Sequence, residues 1–416
     1  MGVLTPIGLG VEKMWAALLV GQSGVSAIQS FDASGLPIRI GGEIRDFDAK
    51  DFVEKKDRKS LKVMARPIQM SVACTTLALR DAALDPSTLE PVRFGISFGA
   101  GLIASELDEL GPACVASVDG NGEVDIRKWG EVGLANMPPL WLLKYLPNMP
   151  ACHVSIIHNA QGPNNTITES DVAAMLALGE AAAVIRRGAA DVMLTGGTDS
   201  KINPLSLTRM CLFLPVSRRN DQPHQACRPF DRHRDGIVPG EGTGILVLEE
   251  LEHARRRNAR IYGEIVGFGA AFDLKRNGDG LARAITVALG KAGIRPEQVD
   301  HINAQGFSTP REDAWEARGI WKVFGEAHPH VPVFAGKSYF GSLGAGSGPV
   351  ELAISLLAQQ QGLLPPTLNY QTPDPELPPL AVLTEKARPV RSPYFLKLSF
   401  TDMGQCAAVV VRKWEE

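Results

Sequence analysis

The 416-residue chain is sparing with cysteine, with excess charge of either sign and with long apolar runs, and each shortage removes a class of answers. Its six cysteines, Cys74, Cys114, Cys152, Cys211, Cys227 and Cys406, are scattered with no CxxC pair. That argues against a disulfide framework and reads as reduced thiols in a cytoplasmic protein. His224, Cys227 and His233 are metal-ligand types, but their spacing fits no recurrent zinc pattern, so no metal is expected. Lys and Arg total 43 against 46 acidic residues, a net charge of −3, which leaves no basic footprint for nucleic acid or an anionic membrane. Glu180 interrupts the longest apolar stretch before it reaches the roughly 18 residues of a membrane span. The opening MGVLTPIGLGVEKMW has no basic segment followed by an apolar one and does not read as a signal peptide.

What is present is core material: 44% of residues are hydrophobic and 21% charged, which excludes disorder, and 42 glycines suit many tight connections. Helical spacing occurs at 13–19 and 60–84, the second interrupted by Pro67. RFGISF (93–98) reads as a buried strand entering a turn at Gly99-Ala100-Gly101, and 104–150 as loops and short helices. Val172 to Arg187 is apolar on nearly every face, which predicts a buried helix, stopped by Gly188 and followed by the strand ADVMLTGG. Ser170 and Asp171 then lie where a loop enters that helix. From residue 241 onward, strand and helix patterns alternate, predicting βαβ units and a mainly parallel sheet covered on both faces. Residues 216–236 form a long polar loop.

Several stretches then line up together. They are GVLTPIGLGVEKMWAALLVGQSGV, LPNMPACHVSIIHNAQGPNNT, CRPFDRHRDGIVPGEGTGILVLEELEHARRR, INAQGFSTPREDAWEARGI, GKSYFGSLGAGSGPVELAISLLAQQQGLLPPTLNYQTPD and LSFTDMGQCAAVVV. In content and order, over nearly the whole chain, they resemble the β-ketoacyl-acyl carrier protein synthases, condensing enzymes of thiolase-type fold. The resemblance implies an α/β, duplicated βαβ architecture, two pseudo-related halves in α-β-α-β-α layers. Residues 1–250 would carry the nucleophile position, and 258–416 the histidine positions. Members of the family begin with a strand of about ten residues. Here the chain opens at Met1-Gly2-Val3-Leu4-Thr5, so that strand is expected to be missing, as after a start assigned too far downstream.

By the same resemblance, a Cys at the N-terminus of a buried helix (T-A-C-A-T-G) takes an acyl chain from the phosphopantetheine of a carrier protein. Two histidines then assist decarboxylation of a malonyl unit and stabilise the enolate. On this sequence Asp171 occupies the Cys position, within Glu169-Ser170-Asp171-Val172-Ala173-Ala174. Gln305 replaces the histidine of N-A-H-G-T-S-T, here Asn303 to Thr309, and Ser342 that of K-S-x-x-G-H-L, here Lys337 to Leu343. Lys337, Asp313 and Glu316 match the family pattern.

An aspartate is a poor acyl acceptor from a thioester, and it caps helices well, so Asp171 reads either as a cap or as part of an altered site. Glu169 adds a second negative charge that would oppose a malonyl group. Gln305 and Ser342 can donate hydrogen bonds, but neither titrates near neutral pH. Ser170 is the adjacent hydroxyl, with no base supplied by the motif and a side chain turned about 100° around the helix. Of the two pantetheine-binding threonines the family carries, Thr309 remains and Phe307 stands at the other position, where it would plug the tunnel. The gating loop S-F-G-F-G-G reads Ser399-Phe400-Thr401-Asp402-Met403-Gly404, with Asp402 at the gate position and a loop stiffened by lost glycines.

The resemblance therefore implies a non-condensing subunit like the chain-length factors, which pair with an active ketosynthase and shape its product pocket in fatty acid or polyketide synthesis. Its expected partners are an active homologue, or a second copy of itself, and an acyl carrier protein. No cofactor beyond the carrier's phosphopantetheine is expected. Two alternatives stay open: a divergent acyltransferase or decarboxylase with a non-Cys site, and a module that only binds the carrier protein.

Overall fold

The computed structural model describes residues 1–384 and 386–415. Five strands build the first sheet: β1 (Gly2–Thr5), β2 (Phe94–Ala100), β3 (Asn164–Ile167), β4 (Val192–Ser200) and β5 (Glu241–Glu249). Five build the second: β6 (Gly263–Phe272), β7 (Val299–Asn303), β8 (Pro332–Phe334), β9 (Tyr394–Phe400) and β10 (Gln405–Lys413). The spatial orders are β1-β5-β4-β2-β3 and β6-β10-β9-β7-β8, and a two-residue strand extends each sheet at one end, Gly8–Leu9 beside β1 and Ala381–Val382 beside β8. Numbered within each half, both orders are 1-5-4-2-3. The strand pairing thus displays the duplication that no repeat in the sequence reveals.

Five long helices complete the layers: α1 (Arg66–Asp81), α2 (Ala173–Arg186), α3 (Asp279–Ala292), α4 (Pro310–Phe324) and α5 (Ser347–Gln361). α2 touches β2 and β4 on one side and β6 and β10 on the other, while α5 lies between β4 and β5 and β7, β9 and β10. A helix between two sheets must be apolar all round, which is the pattern both carry. α1 covers the outer face of β1, β4 and β5, and α3 that of β6 and β10, with α4 packed against α3. The five-layer expectation therefore holds. No helix among the described residues is long and apolar enough to cross a membrane.

Four local expectations are corrected. The sheets are mixed: β2–β3, β2–β4, β7–β8 and β7–β9 are parallel, but β1–β5, β4–β5, β9–β10 and β6–β10 are antiparallel. The period-2 and buried-run patterns do not encode strand direction. Pro67 starts α1 rather than interrupting a longer helix, since its missing N–H costs nothing in the first turn. Gly99 and Ala100 continue β2 instead of turning. The opening residues themselves form a strand, Gly2–Thr5, which pairs antiparallel with β5 from Gly2↔Ile245 to Leu4↔Thr243.

Gly99 is the contact that lets α2 begin directly on β2. A Cβ there would lie 2.3 Å from the Ala174 nitrogen, which is backbone and cannot swing away. Gly99→Ala is expected to cost about 1–3 kcal/mol of unfolding free energy, measured by urea denaturation.

Candidate active site

The duplication decides what meets. In each half the third strand runs through a short segment into the middle-layer helix, and then into the fourth strand. Asp171 lies two residues before α2 and Ser342 five before α5, each in the segment between the third strand and the middle-layer helix of its half. The two side chains meet between the sheets: the Ser342 hydroxyl donates to Asp171 Oδ1 at 3.0 Å. Ser170 Oγ reaches Asp171 Oδ2 at 3.2 Å. Asp171 is therefore not a helix cap. Ser170 takes φ +48°, a left-handed conformation, and Ser170–Val172 form a single 3-10 turn whose carboxylate points across to the other half instead of back to the N–H groups of α2. This turn also explains why Ser170 stays near Asp171, outside the helical geometry that would swing it away.

Loss of water pushes the Asp171 carboxyl above the usual carboxylate range, aided by Asp199; the charges of Lys337 and Lys201 and the Ser342 hydrogen bond oppose this. Asp199 is itself buried, paired with Lys201 at 2.9 Å. The loop carrying Ser342 closes tightly over it: a Cβ on Gly344, which has φ +53°, would lie 2.1 Å from Asp199 Oδ2. Ser342 is 6% exposed, Asp171 and Glu169 are half-buried and Ser170 is exposed.

Gln305 follows the carboxyl end of β7 and is fully buried. Its backbone is heavily committed, the N–H to Glu316 Oε1 at 2.7 Å and the carbonyl to Lys337 Nζ at 2.8 Å. Its side-chain amide finds no hydrogen-bond partner among the described residues. Glu316 also accepts the Gly306 N–H at 2.8 Å. Asp313 accepts the N–H groups of Phe230 at 2.8 Å and Ser308 at 3.1 Å, tying the 228–236 loop to the 305–309 loop. Burial pushes Asp313 up to about 6.

Behind these groups sits a buried ion cluster. Lys337 Nζ meets Glu351 Oε1 at 2.8 Å, and Lys397 on β9 binds the other oxygen of Glu351. Lys397 also donates to the Ala304 carbonyl at 3.2 Å, and Asn303 Nδ2 to the Glu351 carbonyl at 2.6 Å. Burial raises Glu316 and lowers Lys397 from their ordinary values. Sequence reasoning found Lys337, Asp313 and Glu316 but missed Glu351 and Lys397. Their signal was visible: each is a charge in the middle of an otherwise apolar buried segment, PVELAIS and YFLKLSF.

The substrate-side positions separate into two groups. Phe307 is buried edge-to-face on Phe400, with ring centroids 5.3 Å apart, and Phe400 packs on Trp315 at 4.7 Å. The Lys337 ammonium lies 5.5 Å from the Phe307 ring. Thr309 is buried, and its hydroxyl donates to Glu312 at 2.6 Å. Asp402 is instead exposed in the hairpin between β9 and β10, which Thr401 and Gln405 close.

Comparison with known proteins assigns the class. The sequence profile of the β-ketoacyl synthase N-terminal domain matches residues 1–254, and that of the β-ketoacyl synthase C-terminal domain matches 262–371. The chain belongs to the β-ketoacyl synthase family. It is 35% identical to a 3-oxoacyl-[acyl-carrier-protein] synthase 2 of Vibrio cholerae, over 90% of this chain and 88% of that one. Against the Vibrio harveyi protein of that name it is 34% identical, over 100% and 98%. Among solved structures, a β-ketoacyl synthase from Burkholderia phymatum matches with TM-score 0.87 at 27% identity, covering 100% of this chain and 98% of that one. The ishigamide ketosynthase/chain length factor matches with TM-score 0.85 at 28% identity, with the same coverage.

Two outcomes follow from the buried charges. The folded pKa of Asp171 lies above its unfolded value, so its contribution to stability is complete below the unfolded pKa and is lost as pH rises through the folded one. Asp171→Asn, which keeps the shape, is expected to melt above wild type near pH 8, with the gap closing near pH 4. Glu351→Gln leaves Lys337 and Lys397 facing each other and is expected to cost about 3–5 kcal/mol in urea unfolding.

Proposed function

We propose that this protein is a non-condensing member of its family, a chain-length-factor-like subunit that pairs with an active ketosynthase in fatty acid or polyketide-type synthesis. One observation carries the reading. The positions that match the family's nucleophile and two histidines hold Asp171, Gln305 and Ser342, while Lys337, Glu316 and the fold around them remain in place. A carboxylate hydrogen-bonded to a serine supplies neither a thiolate nor an imidazole, so the condensing route that runs through a cysteine thioester and two histidines has no carrier here.

The surface supports a partner. The outer edge of β3, just before Asp171, pairs with no strand among the described residues, and an unpaired edge is a template for another chain. Large apolar side chains stand exposed in the segment between β2 and β3, including Leu102, Leu107, Val115, Ile126 and Leu140. One structural relative is a ketosynthase/chain length factor, and another is a type II polyketide acyl-carrier protein in complex with its ketosynthase. By that likeness, acyl groups reach the assembly on a carrier protein's phosphopantetheine. The free cysteines suit a cytoplasmic setting.

Co-expression with the source organism's homologues that retain the Cys-His-His set tests this. Native mass spectrometry is expected to show a one-to-one complex with one of them. Recovery only as a monomer or self-dimer, beside a homologue that is active without it, contradicts the proposal.

A further inference from the structure

The Asp171–Ser342 contact does more than mark a lost site. A serine hydroxyl donating at 3.0 Å to a carboxylate places a nucleophile within hydrogen-bond reach of a base. Three further features favour chemistry at this pair. The Ser342 main chain is anchored by its N–H, which donates to the Val238 carbonyl at 2.8 Å, so the backbone that carries the hydroxyl is held in place. The carboxylate is poorly solvated, which makes it a stronger base than a surface aspartate. Gln305, whose carbonyl is bound by the same Lys337 whose charge acts on Asp171, holds a buried side-chain amide with no partner among the described residues. Ser170 contacts the same carboxylate, but at 3.2 Å and from an exposed, adjacent residue.

We propose that Ser342 and Asp171 form a hydrolytic dyad that removes acyl groups from thioesters delivered to this site. Ser342 Oγ attacks the thioester carbonyl carbon, and its proton passes to Asp171. The C–S bond breaks, the departing sulfur takes that proton and leaves as a thiol, and the acyl group remains as an ester on Ser342. Water then attacks the ester carbonyl and gives a proton to Asp171. The ester C–O bond breaks, Ser342 Oγ recovers the proton, and a free carboxylic acid departs. The sum is thioester plus water giving acid plus thiol. In an assembly of the kind proposed above, this activity clears chains from the carrier. The inference rests on that reading only in requiring that acyl thioesters reach the site.

The test uses the full chain and the N-acetylcysteamine thioester of a medium-chain fatty acid, following thiol release with a chromogenic disulfide. Wild type is expected to release thiol, Ser342→Ala to fall to background, and Asp171→Asn to fall by about 10²-fold or more. Labelling of wild type with a fluorophosphonate, mapped by peptide mass, should place the adduct on Ser342 and does not depend on any variant folding. Release that persists in a folded Ser342→Ala, or an adduct on Ser170, overturns the dyad. Binding of the non-hydrolysable amide analogue without thiol release from the thioester overturns the dyad and leaves the acyl-binding reading standing. Absence of both binding and release removes both.

Discussion

The ion cluster of Lys337, Glu351 and Lys397 is the constraint on which the rest of the site depends. Glu351 stands on the helix between the two sheets, Lys397 on a central strand, and Lys337 at the carboxyl end of β8. None can be left unpaired at this depth without a cost of several kcal/mol. Together they fix the carbonyls of Ala304 and Gln305, and so the loop that carries Gln305 and Phe307. Glu316 holds the same loop from the other side through two backbone N–H groups. The scaffold therefore imposes the positions of the reacting side chains whatever those side chains are. The backbone of Gln305 is thus held by groups that do not touch its side chain.

At the site a carboxylate stands beside a hydroxyl, with Lys337 and Lys201 as the charges that compensate it. Both have other partners, Lys337 in Glu351 and Lys201 in Asp199. The net effect is a half-buried carboxyl held above its ordinary range, as occurs at functional sites and in structural ion networks alike. Phe307 fills the space beside Phe400 as an edge-to-face aromatic pair.

Much of this was legible in the chain because burial leaves a pattern. α2 and α5 are apolar on all faces since sheets flank them on both sides, and that pattern marked them as interior helices. β3 was invisible for the opposite reason: Asn164-Asn165-Thr166-Ile167 is an exposed edge whose outer face has no core to meet. Strand direction was misjudged because a buried run reads the same either way. Asp171 was open to reading as a cap because sequence shows a carboxylate before a helix but not the left-handed Ser170 that turns it away. The juxtaposition of residues 171 and 342 is set by the fold's duplication, which only strand order exposes.

The central claim is that the family's scaffold persists here without its condensing chemistry. The most direct measurement supplies the purified protein alone with acyl- and malonyl-carrier proteins and follows β-ketoacyl product and carbon dioxide. No product and no carbon dioxide above the carrier-only background is the result expected. Sustained β-ketoacyl formation by the wild-type protein on its own would contradict it.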